Sequence, residues 1–229
     1  MVKKAIKNII GGSLSSFNYP LVINSYGRSG STVLTHSIVQ YSIKTQFINF
    51  GNIADRTISQ EAWDLKSKNL KDGIVYKTHD YPSDSLDNYE KIRMLYTFAN
   101  PVDVILSLLR LFEKRGEEWI KQHYQHLGAS YTNSFENIIY EDQLNLEKHL
   151  DTWLDESRFP IAFIRYETMW EYQNEISEYL GFSITLPKYK TRKSNHMKES
   201  RDLEDINKTY KKMKSKIDNL ENFFINKSE

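Results

Sequence analysis

The chain contains no cysteine, which excludes disulfide bridges, thiolate metal sites and thiol nucleophiles. It also has little excess charge of either sign, because 31 basic residues oppose 30 acidic ones and leave a formal net charge of +1. Proteins that bind bulk nucleic acid or anionic membranes usually carry a clear basic excess. We therefore expect no nucleic-acid partner, and we expect any anion-binding site to be local.

Long apolar runs are missing as well. Residues 1–10 begin with a basic stretch, but their apolar run ends at Gly11 and Gly12 and is too short for a signal sequence. No run approaches the ~18 apolar residues that a membrane-spanning helix needs. From these absences we expect a protein without a membrane span that is located in the cytoplasm.

Four short apolar runs predict β-strands. They are residues 21–25, 74–77, 93–98 and 161–165, and stretches with helical spacing lie between them. Strands that alternate with helices favour a three-layer α/β fold, with a central parallel β-sheet flanked by helices. Because the chain of 229 residues shows no repeat and no low-complexity linker, we expect one domain spanning residues 1–229.

Three stretches stand outside this alternation. Residues 1–19 precede the first strand and are interpreted as an N-terminal extension. Residues 116–140 are rich in His, Tyr, Asn and Gln with little periodicity, which predicts a lid or acceptor-binding insertion rather than core. Residues 202–226 carry apolar side chains at steps of three and four, which predicts one long amphipathic helix. A further helix is expected from Glu141 to about Glu156.

The loop from Tyr26 to Thr32 reads YGRSGST and lies between the first strand and a helix. Ligands of parallel sheets bind beyond the carboxyl ends of the strands. Glycines permit tight turns, and the amides at a helix start favour an anion. Arg28 adds a permanent positive charge, so the loop predicts a phosphate site; a glycine-rich turn with ordinary helix caps is the plainer alternative. It is not a Walker A loop, because Ser31 follows Gly30 where that pattern has lysine.

Four segments in order resemble motifs of the sulfotransferase superfamily that uses 3′-phosphoadenosine 5′-phosphosulfate. The loop 26–32 is similar to its 5′-phosphosulfate loop, and residues 76–79 (YKTH) are similar to its Lys-Thr-His segment. Residues 99–107 (ANPVDVILS) resemble the 3′-phosphate motif, and residues 165–169 (RYETM) resemble the segment whose tyrosine lies by the adenine. A weaker similarity links Arg192-Lys193-Ser194 to a late Arg-Lys-Gly. The resemblance implies a P-loop-NTPase-like sulfotransferase fold.

The resemblance also implies a reaction and the residues that perform it. The enzyme would transfer a sulfuryl group from 3′-phosphoadenosine 5′-phosphosulfate to a hydroxyl or amine of a carbohydrate or small molecule, with no metal required. Arg28 would act at the leaving oxygen, Lys77 on the sulfuryl group, and His79 as general base for the acceptor. The implied donor-binding residues are Arg28, Ser29, Gly30, Ser31, Thr32, Ser107, Tyr166, Arg192 and Lys193.

One position departs from the family pattern. The arginine that precedes Asn-Pro in the family, and that grips the 3′-phosphate, is Ala99 in this chain. Arg110, Arg192 and Lys193 are the candidates to replace its charge, and the late motif favours the last two.

Plainer interpretations of these residues stay open. Lys77 is compatible with a surface charge, His79 with a solvated strand end, and Tyr166 with a core aromatic. Ser107 lies within a helix, where its hydroxyl can bond to its own backbone. Asp80 either orients the His79 imidazole or faces water.

Two other functions also stay open. A P-loop kinase-like enzyme would need a lysine in the loop and an acidic magnesium ligand after a strand. A non-catalytic nucleotide-binding relative has Ala99 in its favour.

The acceptor pocket is expected from residues 52–70 and 116–140.

Overall fold

The computed structural model describes residues 15–42, 58–131, 134–190 and 202–226. The strands in these residues are β1 (Leu21–Ser25), β2 (Ser59–Glu61), β3 (Val75–Lys77), β4 (Arg93–Phe98), β5 (Ile161–Arg165) and β6 (Phe223–Ile225). They form a six-stranded sheet in the order β2-β3-β1-β4-β5-β6. All neighbours pair in parallel except β5 and β6, which are antiparallel.

Helices cover both faces of this sheet. They are α1 (Ser31–Tyr41), α2 (Pro101–Arg115), α3 (Glu117–His126), α4 (Leu146–Leu154), α5 (Gln173–Leu180), α6 (Leu203–Thr209) and α7 (Lys211–Asn219). Alternate side chains of β1 enter different cores: Val22 packs with α2, α4, α6 and α7, whereas Leu21 and Ile23 pack with α1 and α5. A strand covered on both faces is apolar throughout rather than alternating. The predicted three-layer α/β class is therefore confirmed.

The sheet order places the carboxyl end of β1 at a crevice. β1 has β3 on one side and β4 on the other, and the chain leaves β1 toward the β3 side before it crosses to β4. Ligands of open α/β sheets bind where the strand order changes direction in this way. The loop from Tyr26 to Thr32 lies at that point.

The prediction of one helix over residues 202–226 is wrong. Helix α6 ends at Thr209, α7 ends at Asn219, and the chain then adds β6 to the edge of the sheet. Phe224 stacks on Phe163 of β5 with ring centroids 4.8 Å apart. Three residues are too few for spacing to distinguish a strand from a helix, and pairing with an open sheet edge satisfies backbone groups that a longer helix would leave unpaired there.

The prediction that residues 116–140 stand apart from the core is also wrong for the part described. The segment contains α3 and a 3₁₀ turn from Phe135 to Ile139. Ile120 and Tyr124 of α3 pack in the core beside α2. The helix was not predicted because few other apolar residues in the segment repeat at helical spacing. Gly116, with φ 76°, separates α2 from α3.

Two smaller differences concern other segment ends. The helix expected over residues 141–156 extends only from Leu146 to Leu154. Phe17 is buried in the core, so the described end of the predicted extension 1–19 packs with the domain. No helix among the described residues is long and apolar enough to cross a membrane.

Candidate functional site

A cavity of about 720 Å³ opens at the carboxyl ends of β1 and β3. Its walls combine the loop after β1, the end of β3, helices α2 and α3, and the residue after β5. The structure thus brings together eight of the predicted site residues: Arg28, Gly30, Ser31, Thr32, Lys77, His79, Ser107 and Tyr166. Arg192 and Lys193 lie outside the described residues.

The loop itself has a left-handed backbone at several positions. Gly27, Arg28 and Gly30 have φ values of 87°, 54° and 91°. A Cβ atom at Gly30 would lie 2.2 Å from Cδ2 of Tyr166, and one at Gly27 would lie 2.4 Å from Cε1 of His123. Both glycines are therefore required by conformation and by close packing. Arg28 takes a conformation that costs a residue with a Cβ about 1–2 kcal/mol, as occurs at functional sites.

Two loop side chains are committed to the protein. The Ser29 hydroxyl is buried and donates to the backbone oxygen of Thr97 at 2.8 Å, so a ligand would meet only the backbone of Ser29. The Tyr26 hydroxyl donates to the carbonyl of Ala99 and accepts from its amide, both at 2.6 Å. These contacts attach the loop to β4 and to the residue that follows it.

Ser25, the last residue of β1, connects the loop to His79. Its hydroxyl lies 3.1 Å from the Ser31 hydroxyl and 3.2 Å from Nδ1 of His79, and it accepts a hydrogen bond from the Gly27 amide. Ser25 was not predicted to belong to the site. Its position as a hydroxyl residue at the strand end, directly before the loop, could have indicated it.

His79 is held in one orientation by backbone groups. Its Nδ1 lies 2.6 Å from the carbonyl oxygen of Ser25; because a carbonyl only accepts, Nδ1 carries the proton and Nε2 carries the lone pair. Burial is the main cause that holds the pKa of His79 well below its usual range, and electrostatic interactions with His123 and Lys77 add to it. The imidazole is therefore neutral near pH 7, and Nε2 keeps the lone pair that a general base needs, although the lowered pKa makes it a weaker base than an ordinary histidine.

The residues around His79 differ from one expectation. The Asp80 carboxylate accepts from the Leu65 amide at 2.6 Å and so does not orient the imidazole. Instead, His149 lies behind it: Nε2 of His149 donates to the His79 carbonyl at 2.9 Å, and its Nδ1 accepts from the Tyr96 hydroxyl at 2.8 Å. Burial lowers the pKa of His149 to about 4.

Lys77 and Arg28 each pair with a hydroxyl at the cavity. Nζ of Lys77 donates to Thr32 at 3.0 Å, and burial is the main cause that lowers the pKa of Lys77, with Arg28 adding to it and Glu61 opposing it. Nε of Arg28 donates to the Ser107 hydroxyl at 3.0 Å. Ser107 therefore faces the cavity rather than its own helix backbone.

The segment that resembles the 3′-phosphate motif has a partly structural role. Ala99 is fully buried in the core and does not line the cavity. Asn100 caps α2 through its side chain, which accepts from the Val102 amide at 3.0 Å, and its own amide donates to Glu167 at 3.0 Å. These bonds hold the start of α2 against the segment that contains Tyr166.

Two stacked ring pairs flank His79. Trp63 stacks on His126 with centroids 3.8 Å apart, and Trp119 stacks on His123 with centroids 5.5 Å apart. The His79 ring is 5.4 Å from Trp63 and 5.8 Å from His123. Burial lowers the pKa of His123 to about 3. These rings come from the segments expected to form the acceptor pocket, although sequence analysis did not assign the two histidines a role.

The cavity concentrates positive charge. Its described lining includes one acid, Glu61, against five cationic side chains: Arg28, Lys77, Arg110, Arg115 and Lys190. In a chain with a formal net charge of +1, this is a local concentration of positive charge of the kind that an anion-binding site needs. No group of three or more potential ligand side chains among the described residues is placed to hold a metal ion.

Comparison with solved structures gives matches that include one sulfotransferase. The chain is similar to the crystal structure of mouse sulfotransferase SULT7A1 complexed with PAP, at 14% sequence identity and a TM-score of 0.43, over 91% of this chain and 71% of that one. No family model and no curated protein sequence matches the chain. A likeness of this size carries no information about substrate or activity.

Proposed function

We propose that the protein is a sulfotransferase that moves a sulfuryl group from 3′-phosphoadenosine 5′-phosphosulfate to a hydroxyl of a carbohydrate or small-molecule acceptor. The observation that carries the proposal is the convergence of Lys77, His79 and the β1 loop on one cationic cavity. These groups come from separate segments, and each segment resembles a motif of that family. Their convergence supports the assignment more than any single segment does.

The geometry accounts for the chemistry of such a transfer. The acceptor oxygen attacks sulfur while the bond from sulfur to the phosphate oxygen breaks, and adenosine 3′,5′-bisphosphate leaves. Nε2 of His79 takes the acceptor proton. Lys77 and the amides at the start of α1 stabilise the charge on the sulfuryl and leaving oxygens. Arg28 adds charge but no proton, because its guanidinium stays protonated near neutrality.

A magnesium-dependent kinase is disfavoured by the same site. The loop contains Arg28 but no lysine, and β4 is followed by Ala99 and Asn100 rather than by an acid. Glu61, the acid of the described lining, interacts with Lys77 and His126 instead. A non-catalytic relative is disfavoured by the neutral, oriented imidazole of His79.

A thermal-shift experiment tests the proposal. Adenosine 3′,5′-bisphosphate at about 100 times its Kd should stabilise the protein by about 2.7 kcal/mol, a rise in Tm of about 5–10 °C. ATP with Mg²⁺ should give a much smaller rise. The opposite order of the two ligands would reject the sulfotransferase assignment. If the expected order is found, turnover with labelled donor and an acceptor library distinguishes an enzyme from a binding protein.

A further inference from the structure

Arg110 is a charged residue whose Nε atom has no hydrogen-bond partner among the described residues. It lies on α2 one turn after Ser107, and both residues line the cavity. Its Nε is closed to solvent and hydrogen-bonds to no described residue. Leaving a buried charged donor without an acceptor is costly, so this arrangement indicates an anionic partner that the described chain does not supply.

Two further donors lie with Arg110 on the same wall. The Ser107 hydroxyl accepts from Nε of Arg28 at 3.0 Å, which leaves the Ser107 proton for another acceptor. The same bond brings the Arg28 charge to this wall. Two guanidinium groups and a hydroxyl form a donor set suited to the oxygens of a phosphomonoester dianion.

Residue 99 does not contribute to this donor set. Ala99 is enclosed by the core, and the Tyr26 hydroxyl bonds to both its amide and its carbonyl. Lys77 belongs to a different wall, where Thr32 holds it. The cavity thus presents positive charge on two walls, with Arg110 on one and Lys77 on the other, which matches a ligand with two separate anionic groups.

We propose that Arg110, with Ser107 and Arg28, binds the phosphomonoester on the ribose of the nucleotide. Arg110 thereby sets the selectivity of the site for a nucleoside 3′,5′-bisphosphate over the corresponding 5′-monophosphate. This inference rests on the proposed function, and it assigns to Arg110 the charge that Ala99 lacks.

Calorimetric titration tests the assignment with two ligands, adenosine 3′,5′-bisphosphate and adenosine 5′-monophosphate. Arg110→Gln should weaken the bisphosphate by about 10- to 100-fold, as expected for loss of a charged hydrogen bond, and should change monophosphate affinity by less than about 2-fold. Lys114→Gln is the matched control, because Lys114 lies on the same helix, is exposed and does not line the cavity. It should leave both affinities unchanged.

The other outcomes separate the alternatives. If Arg110→Gln weakens the affinity for both ligands equally, or for neither, the inference is overturned. The proposed function still stands in that case, provided that the wild type binds the bisphosphate. Failure of the wild type to bind either ligand would overturn both. Because Nε of Arg110 has no described partner, the Tm of unliganded Arg110→Gln should not fall; a lower Tm would indicate a structural role instead.

Discussion

Replacing Gly30 by alanine tests how closely Tyr166 covers the loop from Tyr26 to Thr32. Gly30 has φ 91°, and an added Cβ would lie 2.2 Å from Cδ2 and 2.9 Å from Cε2 of Tyr166. The left-handed conformation costs alanine about 1–2 kcal/mol, and displacing a packed ring adds about 1–3 kcal/mol. We therefore expect Gly30→Ala to lower the free energy of unfolding by about 2–5 kcal/mol.

Thermal unfolding of the unliganded protein measures this loss. For a chain of this size the expected fall in Tm is about 4–20 °C. Gly181→Ala is the matched control: Gly181 has φ 76° and ψ 14°, the same left-handed region as Gly30, with nothing within 4 Å of an added Cβ, so only the backbone cost applies, and Tm should fall by about 2–8 °C.

A double-mutant cycle isolates the contact itself. In a Tyr166→Ala background the ring is gone, so Gly30→Ala should cost only the backbone strain, and the coupling energy should be about 1–3 kcal/mol. Equal Tm losses in Gly30→Ala and Gly181→Ala, or a coupling energy near zero, would refute the close packing of Tyr166 on the loop.

Two further predictions concern histidines. His79→Ala should lower kcat by about 100- to 10,000-fold, as for loss of a general base, while the Kd of adenosine 3′,5′-bisphosphate changes little; a parallel loss of binding would contradict the base assignment. Stability should also fall with acid, because His79, His123 and His149 have folded pKa values below that of an unfolded histidine, about 3 for His123 and about 4 for His149. Above the unfolded pKa of about 6.5 all three histidines are neutral in both the folded and the unfolded state. Below that pH the unfolded chain binds protons before the folded one does. The free energy of unfolding therefore falls progressively from pH ~6.5 toward ~3. Chemical denaturation at pH 7.5 and 5.0 measures this loss, and His149→Asn should reduce it; unchanged stability across that range would contradict the neutral burial of these rings.

The central strands were predictable from the sequence because their environment leaves a simple pattern. β1 and β5 are buried on both faces, and a buried strand is apolar throughout. β2 was not predictable in the same way, since its sequence Ser59-Gln60-Glu61 carries no apolar signal and its position depends on pairing with β3. β6 likewise depends on an edge that exists only after the sheet has formed.

The site divides along similar lines. Arg28, Lys77, His79 and Tyr166 were predicted because they belong to short contiguous segments that resemble known motifs. The roles of Ser25 and His123 were not predicted, because each depends on contacts between residues far apart in the chain. The acceptor could not be predicted for the same reason, because the walls around His79 are ring pairs from segments that are distant in the chain.

The attachments of the β1 loop have a consequence for how a ligand is received. Tyr26 is fixed to Ala99, Ser29 to Thr97, and Gly27 to Ser25, all within the protein. The ordering of this loop therefore takes place when the sheet and its helices form, and the proposed nucleotide would meet amides whose directions are already set. Binding free energy is not used to organise the cradle. The conformational entropy of the loop is lost during folding, so the affinity of the site is determined by its charges and hydrogen bonds.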